Sequence, residues 1–199
     1  LLADVSHELK TPLAAIRGYA ETLAMPEVRL DGDTRRRYLE IVGDETIKLE
    51  RIVGDLLELA RLEGGGFTLT CEAVPIRQLF RGVADRHERD MIEKQVALET
   101  TVADGLETIW CDPVRLEQAL QNLVANALRH TPEGGQITLL AERADAGVRI
   151  IVRDTGTGIP EEHLPHIFDR FYKSDASRTD PQAKSGSGLG LSIVKAIVE

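Results

Sequence analysis

Residues 112–130 read DPVRLEQALQNLVANALRH, and the stretch has the marks of a two-faced helix. Asp112 offers a side-chain acceptor at the N-cap, and Pro113 brings the fixed φ and missing N–H that the first helical position tolerates. At about 100° per residue, Leu116, Leu120, Leu123, Val124 and Ala127 fall on one broad apolar face. Arg115, Asn122, Asn126 and Arg129 gather opposite, within an arc of about 60°, and His130 sits at the border. Strand patterns flank this helix: Thr108 to Cys111 before it, then Gln136 to Glu142 and Val148 to Asp154 after it, with Asp145-Ala146-Gly147 as the turn between them. Further upstream, Phe67 to Val74 and Val96 to Val102 read as strands and Ile76 to Ile92 as an amphipathic helix. Leu189 to Glu199 closes the chain as a helix with glycines before it. This order predicts a sheet with helices on one face, an α/β sandwich over 67–199.

Ahead of the sandwich the period changes. Leu2, Val5, Leu9, Leu13, Ile16, Ala20 and Leu23 step by three and four, which makes one apolar stripe ending near Met25-Pro26. Asp31 or Thr34 can cap a second helix, in which Leu49, Ile52, Leu56 and Leu59 continue the spacing until Gly64-Gly65-Gly66. Residues 1–63 are therefore an all-α helical hairpin, and 64–66 a glycine hinge. A hairpin of about 60 residues is short of core, so pairing with a second copy into a dimeric four-helix bundle is the expected solution.

Composition excludes several functions. With 24 Lys plus Arg against 33 Asp plus Glu, the formal net charge of −9 argues against nucleic-acid binding, which needs a basic face. No run approaches the ~18 apolar residues of a membrane helix and no leader pattern is present, so no membrane contact by this segment is expected. Cys71 and Cys111 lack metal-ligand spacing and read as two reduced core thiols. The chain has no starting Met and opens in mid-pattern, which reads as an excised portion of a longer protein.

Three signals in the second domain converge on a nucleotide. Along the polar helix stripe, amide oxygens suit a hard cation such as Mg²⁺ and Arg129 suits phosphate, although each Asn taken singly reads first as a solvated surface residue. Val148, Ile150, Val152 and Asp154 share one strand face, which predicts a buried carboxylate in need of a donor; an adenine amine would serve, and a turn-capping Asp is the plainer alternative. Gly186-Ser187-Gly188-Leu189-Gly190 precedes a helix, where backbone N–H groups bind phosphate oxygens; a flexible hinge would look the same. The long segment from Thr155 to Gly190 reads as a lid. In the hairpin, Pro12 sits inside a helix at a cost of ~3 kcal/mol, next to His7 and Glu8, which lie off the apolar stripe. Thr11 is one turn beyond His7. A neutral imidazole is a competent nucleophile toward phosphorus, and a neighbouring carboxylate can accept its other proton. His87, His163 and His166 read as surface residues.

Taken together, these segments resemble the boxes of bacterial sensor histidine kinases. Ser6-His7-Glu8-Leu9-Lys10-Thr11-Pro12-Leu13 resembles the H box, and Asn122-Leu-Val-Ala-Asn126-Ala-Leu-Arg-His130-Thr-Pro the N box. Asp154-Thr-Gly-Thr-Gly158-Ile-Pro is similar to the G1 box, Ile167-Phe-Asp-Arg-Phe171-Tyr-Lys to the F box and Gly186-Ser-Gly-Leu-Gly190-Leu-Ser to the G2 box. The resemblance implies a dimerisation and phosphotransfer hairpin joined to a gyrase-like ATP-binding domain, and by the same pattern the last strand or strands of its sheet are expected beyond Glu199. It implies autophosphorylation of His7 from Mg-ATP, with Glu8 as base, transfer to an aspartate of a response regulator, and Thr11 positioning water for the reverse, phosphatase reaction. By the same resemblance Asn126 ligates Mg²⁺ with Asn122 beside it, and Arg129, His130 and Lys173 lie near the phosphates. Asp154, with Gly156 and Gly158, holds the adenine, while Gly186, Gly188, Leu189 and Gly190 form the closing lid. Phe168 and Phe171 are expected to pack its hinge. A cytoplasmic location for this segment and a parent in the bacterial inner membrane follow from the same resemblance. A gyrase- or chaperone-type ATPase shares the nucleotide site but has no use for His7-Glu8, and a phosphatase-biased scaffold would keep Thr11 as its working residue.

Overall fold

The structure is a computed structural model that describes residues 2–64, 68–145, 147–173 and 186–199. Leu1, Gly65, Gly66, Phe67 and Ala146 of the expected elements, and 174–185 of the expected lid, lie outside the described residues. Helix α1 spans Leu2–Ala24 and runs through Pro12, whose ring is buried. Helix α2 spans Gly32–Glu63; its N-cap is Asp31, which accepts from Thr34 N at 2.8 Å, and Gly64 closes it by donating its N–H to Ala60 O at 3.0 Å. The two helices pack as a hairpin, with Tyr19 and Tyr38 in an edge contact 4.8 Å between centroids. Large apolar side chains remain uncovered on the hairpin: Leu13, Leu39, Ile47, Val53 and Leu57 are 42–66% exposed.

Beyond the hairpin come β1 (Glu72–Pro75), α3 (Ile76–Lys94), β2 (Ala97–Val102), β3 (Thr108–Cys111), α4 (Pro113–His130), β4 (Gln136–Ala144), β5 (Gly147–Asp154), a 3₁₀ turn (Leu164–His166) and α5 (Gly190–Val198). The expected first strand is shorter than its alternation suggested, since ladder pairing begins only at Glu72. Among the described residues the strands form two sheets where one was expected. β1 pairs antiparallel with β3, and β4 lies between a parallel β2 and an antiparallel β5. Pro75 ends the small ladder because it has no N–H to donate, and the chain turns at once into α3. Both sheets nonetheless feed one core. Val74 of β1, Val102 of β2 and Ile137, Leu139 and Ala141 of β4 are buried with Phe80 and Val83 of α3 and Leu120 and Val124 of α4. The α/β sandwich therefore stands, with β4 alternating in and out as its period of two requires. A second cluster joins the hairpin to the sandwich: Leu59 and Leu62 of α2 are buried against Leu189 and Ile193 at α5.

The cysteines are not core thiols. Cys71, in the irregular stretch before β1, is exposed, and Cys111, at the end of β3, is half-buried, so burial pushes its thiol pKa up; both are free. His87 is not a plain surface residue either, because Nε2 is enclosed and burial lowers the pKa of the ring. No helix among the described residues is long and apolar enough to cross a membrane.

Candidate nucleotide pocket and phosphoacceptor turn

A cavity of about 490 Å³ opens beside α4, walled by α4, the loop after β5, the residues before α5 and, unexpectedly, α2. Asn122, Asn126, Arg129 and His130 line it, as their shared helical face requires. The fourth member of the sequence stripe leaves the group: Arg115 lies two turns nearer the start of α4 and forms an ion pair with Glu58 of α2. Lys94 at the end of α3 donates to the carbonyls of Leu128 and Arg129 at 2.7 and 3.0 Å, which caps the last turn of α4 where the polar face ends.

Asp154 lines the cavity from the end of β5, but it is exposed and not buried as the strand alternation suggested. Its position at the mouth of the sheet places it in the open pocket, with Oδ1 accepting from Gly156 N at 2.8 Å and Oδ2 left for another donor. Gly156 lies behind the cavity wall. A Cβ there would stand 2.5 Å from the carbonyl oxygen of His130 and 2.7 Å from Asp154 Oδ1, so only glycine lets the loop cross the end of α4. Gly188 has φ +72°, and its Cβ would meet the Phe171 backbone at 2.8 Å. Gly158, Gly186 and Gly190 also face the cavity. Leu189 does not, because it is fully buried in the contact between α2 and α5.

Phe171 packs on that contact and its N–H donates to Gly188 O at 2.9 Å. Phe168 faces outward and is 41% exposed, so it is no part of that core. His163 is a cavity residue: half-buried, its Nδ1 lies 2.8 Å from the hydroxyl of Tyr172, which also lines the wall. His166 stays at the surface, with Nδ1 2.9 Å from Asp169.

Electrostatically the pocket is set for an anion. Arg129 is half-buried, and burial first, then the charge of Arg51 on α2, lowers its pKa. The amide oxygens of Asn122 and Asn126 are neutral hard donors one turn apart. Mg²⁺ keeps most of its shell as water and phosphate oxygen, so this pair suits it without the acidic cluster that no described residues form.

On the hairpin, His7 is exposed and Thr11 Oγ1 donates to its carbonyl at 3.2 Å. Glu8 accepts from Lys173 Nζ at 2.6 Å, and Lys173 itself lines the cavity. The turn bearing His7 and the pocket are thus joined through one lysine. Three further polar links run from α2 to the sandwich: Glu58 to Arg115, Glu63 to Arg170, and Asp55, whose Oδ2 accepts from Ser187 Oγ at 2.7 Å. Sequence reading missed Arg51, Asp55, His163, Tyr172 and Ser187 as cavity residues. The first two belong to a helix that reaches the pocket only through docking.

A helical hairpin presenting an exposed histidine is thus docked on an α/β sandwich whose glycine-walled cavity holds Arg129 and Lys173, the arrangement of a histidine kinase catalytic core. Family models agree at both ends: residues 1–65 match the His Kinase A (phospho-acceptor) domain, and 111–199 the histidine kinase-, DNA gyrase B- and HSP90-like ATPase. The chain belongs to the sensor histidine kinases of two-component systems, as a catalytic core with an ATP-binding domain. It is 37% identical over all 199 residues to Sensor protein SrrB of Staphylococcus aureus (strain NCTC 8325 / PS 47), and spans 33% of that protein. The chain therefore spans about a third of the length of the curated relatives it matches. Full-length ShkA, solved in complex with AMPPNP, is 33% identical with a TM-score of 0.69, over 98% of this chain and 40% of that one. Histidine kinase ThkA is similar in two structures. Its catalytic domain is 31% identical at TM-score 0.56, over 65% of this chain and 80% of that one. Its complex with response regulator protein TrrA is 28% identical at TM-score 0.73, over 86% and 50%.

Proposed function

We propose that this chain autophosphorylates His7 from Mg-ATP and passes the phosphoryl group to an aspartate of a response-regulator receiver domain. The observation that carries the reading is the Lys173–Glu8 contact, which ties a cavity-lining cation to the residue beside the acceptor histidine. In this reading 1–63 is the dimerisation and phosphotransfer hairpin, 64–66 the hinge, and 67–199 the catalytic domain. Asp154 orients the adenine amine through the carboxylate oxygen that Gly156 leaves open. Asn126, with Asn122 beside it, holds Mg²⁺, which neutralises charge on the phosphates when bound. Arg129, His130 and Lys173 face the phosphate chain, and the backbone at Gly186 to Gly190 closes over it.

Glu8 accepts the proton of one imidazole nitrogen while the other attacks the γ-phosphorus, and ADP leaves as the old P–O bond breaks. Holding both reactants in one docked assembly makes the step effectively unimolecular. Thr11, one turn from His7, positions water for dephosphorylation of the partner. The uncovered Leu13, Leu39, Ile47 and Leu57 support a homodimeric four-helix bundle. The likeness to ThkA, solved with a response regulator, supports a receiver domain as partner. The resemblance to sensor histidine kinases supports a parent anchored in the bacterial inner membrane, with this segment on the cytoplasmic side.

Incubation with γ-labelled ATP and Mg²⁺ tests the reaction. Acid-labile, alkali-stable label on the parent and none on His7→Gln is the expected result. ATP bound or hydrolysed without protein label would overturn it in favour of a gyrase- or chaperone-type ATPase.

A further inference from the structure

Two side chains of α2, Arg51 and Asp55, stand one helical turn apart in the wall of the cavity. Asp55 is engaged by the hydroxyl of Ser187 at 2.7 Å. Arg51 is exposed, and its charge acts on Asp55 of its own helix and on Arg129 across the domain contact. Arg129 in turn is pressed by the glycine-rich wall, since a Cβ on Gly186 would stand 2.9 Å from its Nη1. Two guanidinium groups brought to one cavity from two domains repel each other until an anion lies between them. A polyphosphate, with adjacent charged oxygens, satisfies both planar forks at once.

Resting on the nucleotide reading above, we infer that Arg51 is a phosphate ligand that the hairpin contributes to the ATP cavity and that it reads the terminal phosphate. The phosphate to be transferred must face the hairpin that carries His7, and Arg51 enters the cavity from that hairpin. ADP lacks the group Arg51 would hold. Because the contact exists only while α2 is docked, ATP strengthens docking by the same factor by which docking strengthens ATP binding. ADP does so much less.

Calorimetric binding of Mg-AMPPNP and Mg-ADP to the whole chain tests this, with Arg51→Ala and Arg51→Lys as variants. Arg51→Ala loses about ten- to a hundredfold in AMPPNP affinity, the loss of one charge-assisted phosphate contact, and Arg51→Lys recovers part of it. Affinity for ADP stays as in the parent, which together with an unchanged far-UV spectrum shows the variant folded. An Arg51→Ala variant that weakens both nucleotides equally, or neither, overturns the assignment while the nucleotide reading stands. A parent that binds neither nucleotide overturns both.

Discussion

Replacing Gly156 with alanine should damage the pocket at the end of α4. The new Cβ would stand 2.5 Å from the carbonyl oxygen of His130, 2.7 Å from Asp154 Oδ1 and 3.0 Å from the His130 carbonyl carbon. The carboxylate can rotate away, but the carbonyl belongs to the last turn of α4, which Lys94 holds by two hydrogen bonds. Restoring an ordinary contact of 3.4 Å requires a shift of about 0.9 Å between two backbone segments. Overpacking of this kind costs about 1–3 kcal/mol, and each kcal/mol lowers the melting temperature of a chain this size by roughly 2–4 °C. Rotation of Asp154 also removes its bond from Gly156 N and turns the free oxygen away from the pocket, so AMPPNP binding falls at least about tenfold. Gly158→Ala is the control: its φ of +72° costs about 1 kcal/mol, but a Cβ there meets open space. Calorimetric melting and AMPPNP titration of both variants check the argument. A Gly156→Ala protein that melts and binds like the parent, or no worse than Gly158→Ala, would refute it.

Asp112→Ala should cost about 1–2 kcal/mol in urea unfolding, because its carboxylate caps α4 at Arg115 N (3.1 Å) and also accepts from Thr70 N (3.0 Å). Asp112→Asn, which keeps the capping acceptor, should recover most of that loss. Burial raises the Asp55 pKa above its ordinary 3.8, so the folded chain holds that proton to higher pH than the unfolded one and loses stability as pH rises past 3.8. Asp55→Asn should accordingly gain melting temperature relative to the parent at pH 7 and show no gain near or below pH 3.8; a gain independent of pH would contradict the sign. Leu57→Glu, placed on the uncovered hairpin face, should sediment as a monomer at micromolar concentration where the parent sediments as a dimer.

What the sequence discloses is what local spacing encodes. Helix α4 is legible to the residue, because Asp112-Pro113 fixes its start and its two faces follow from the helical period; the same period brings Asn122, Asn126 and Arg129 into one cavity wall. Strand β4 is legible by alternation, and α2 by its cap and closing glycine. Pairing is not local, and the division into two sheets left no mark in the strands themselves. The three apolar strand companions of Asp154 point to burial, yet a strand that ends at a pocket hands its last side chain to the opening. Lys173 and Glu8 lie 165 residues apart, and Arg51 and Asp55 become pocket residues only when α2 docks. Their sequence surroundings are those of an ordinary amphipathic helix.

Arg51, Asp55, Glu58 and Leu62 recur at steps of four, three and four, so one narrow strip of α2 carries a pocket residue, a hydroxyl acceptor, an ion-pair partner and an apolar anchor. Such a strip behaves as a cam. Turning α2 about its axis by one residue, about 100°, withdraws all four together, while sliding it along the axis by less than a turn leaves them facing the same way. Engagement of the two domains is therefore keyed to the rotational setting of one helix, and whatever sets that angle sets all of these contacts in a single stroke.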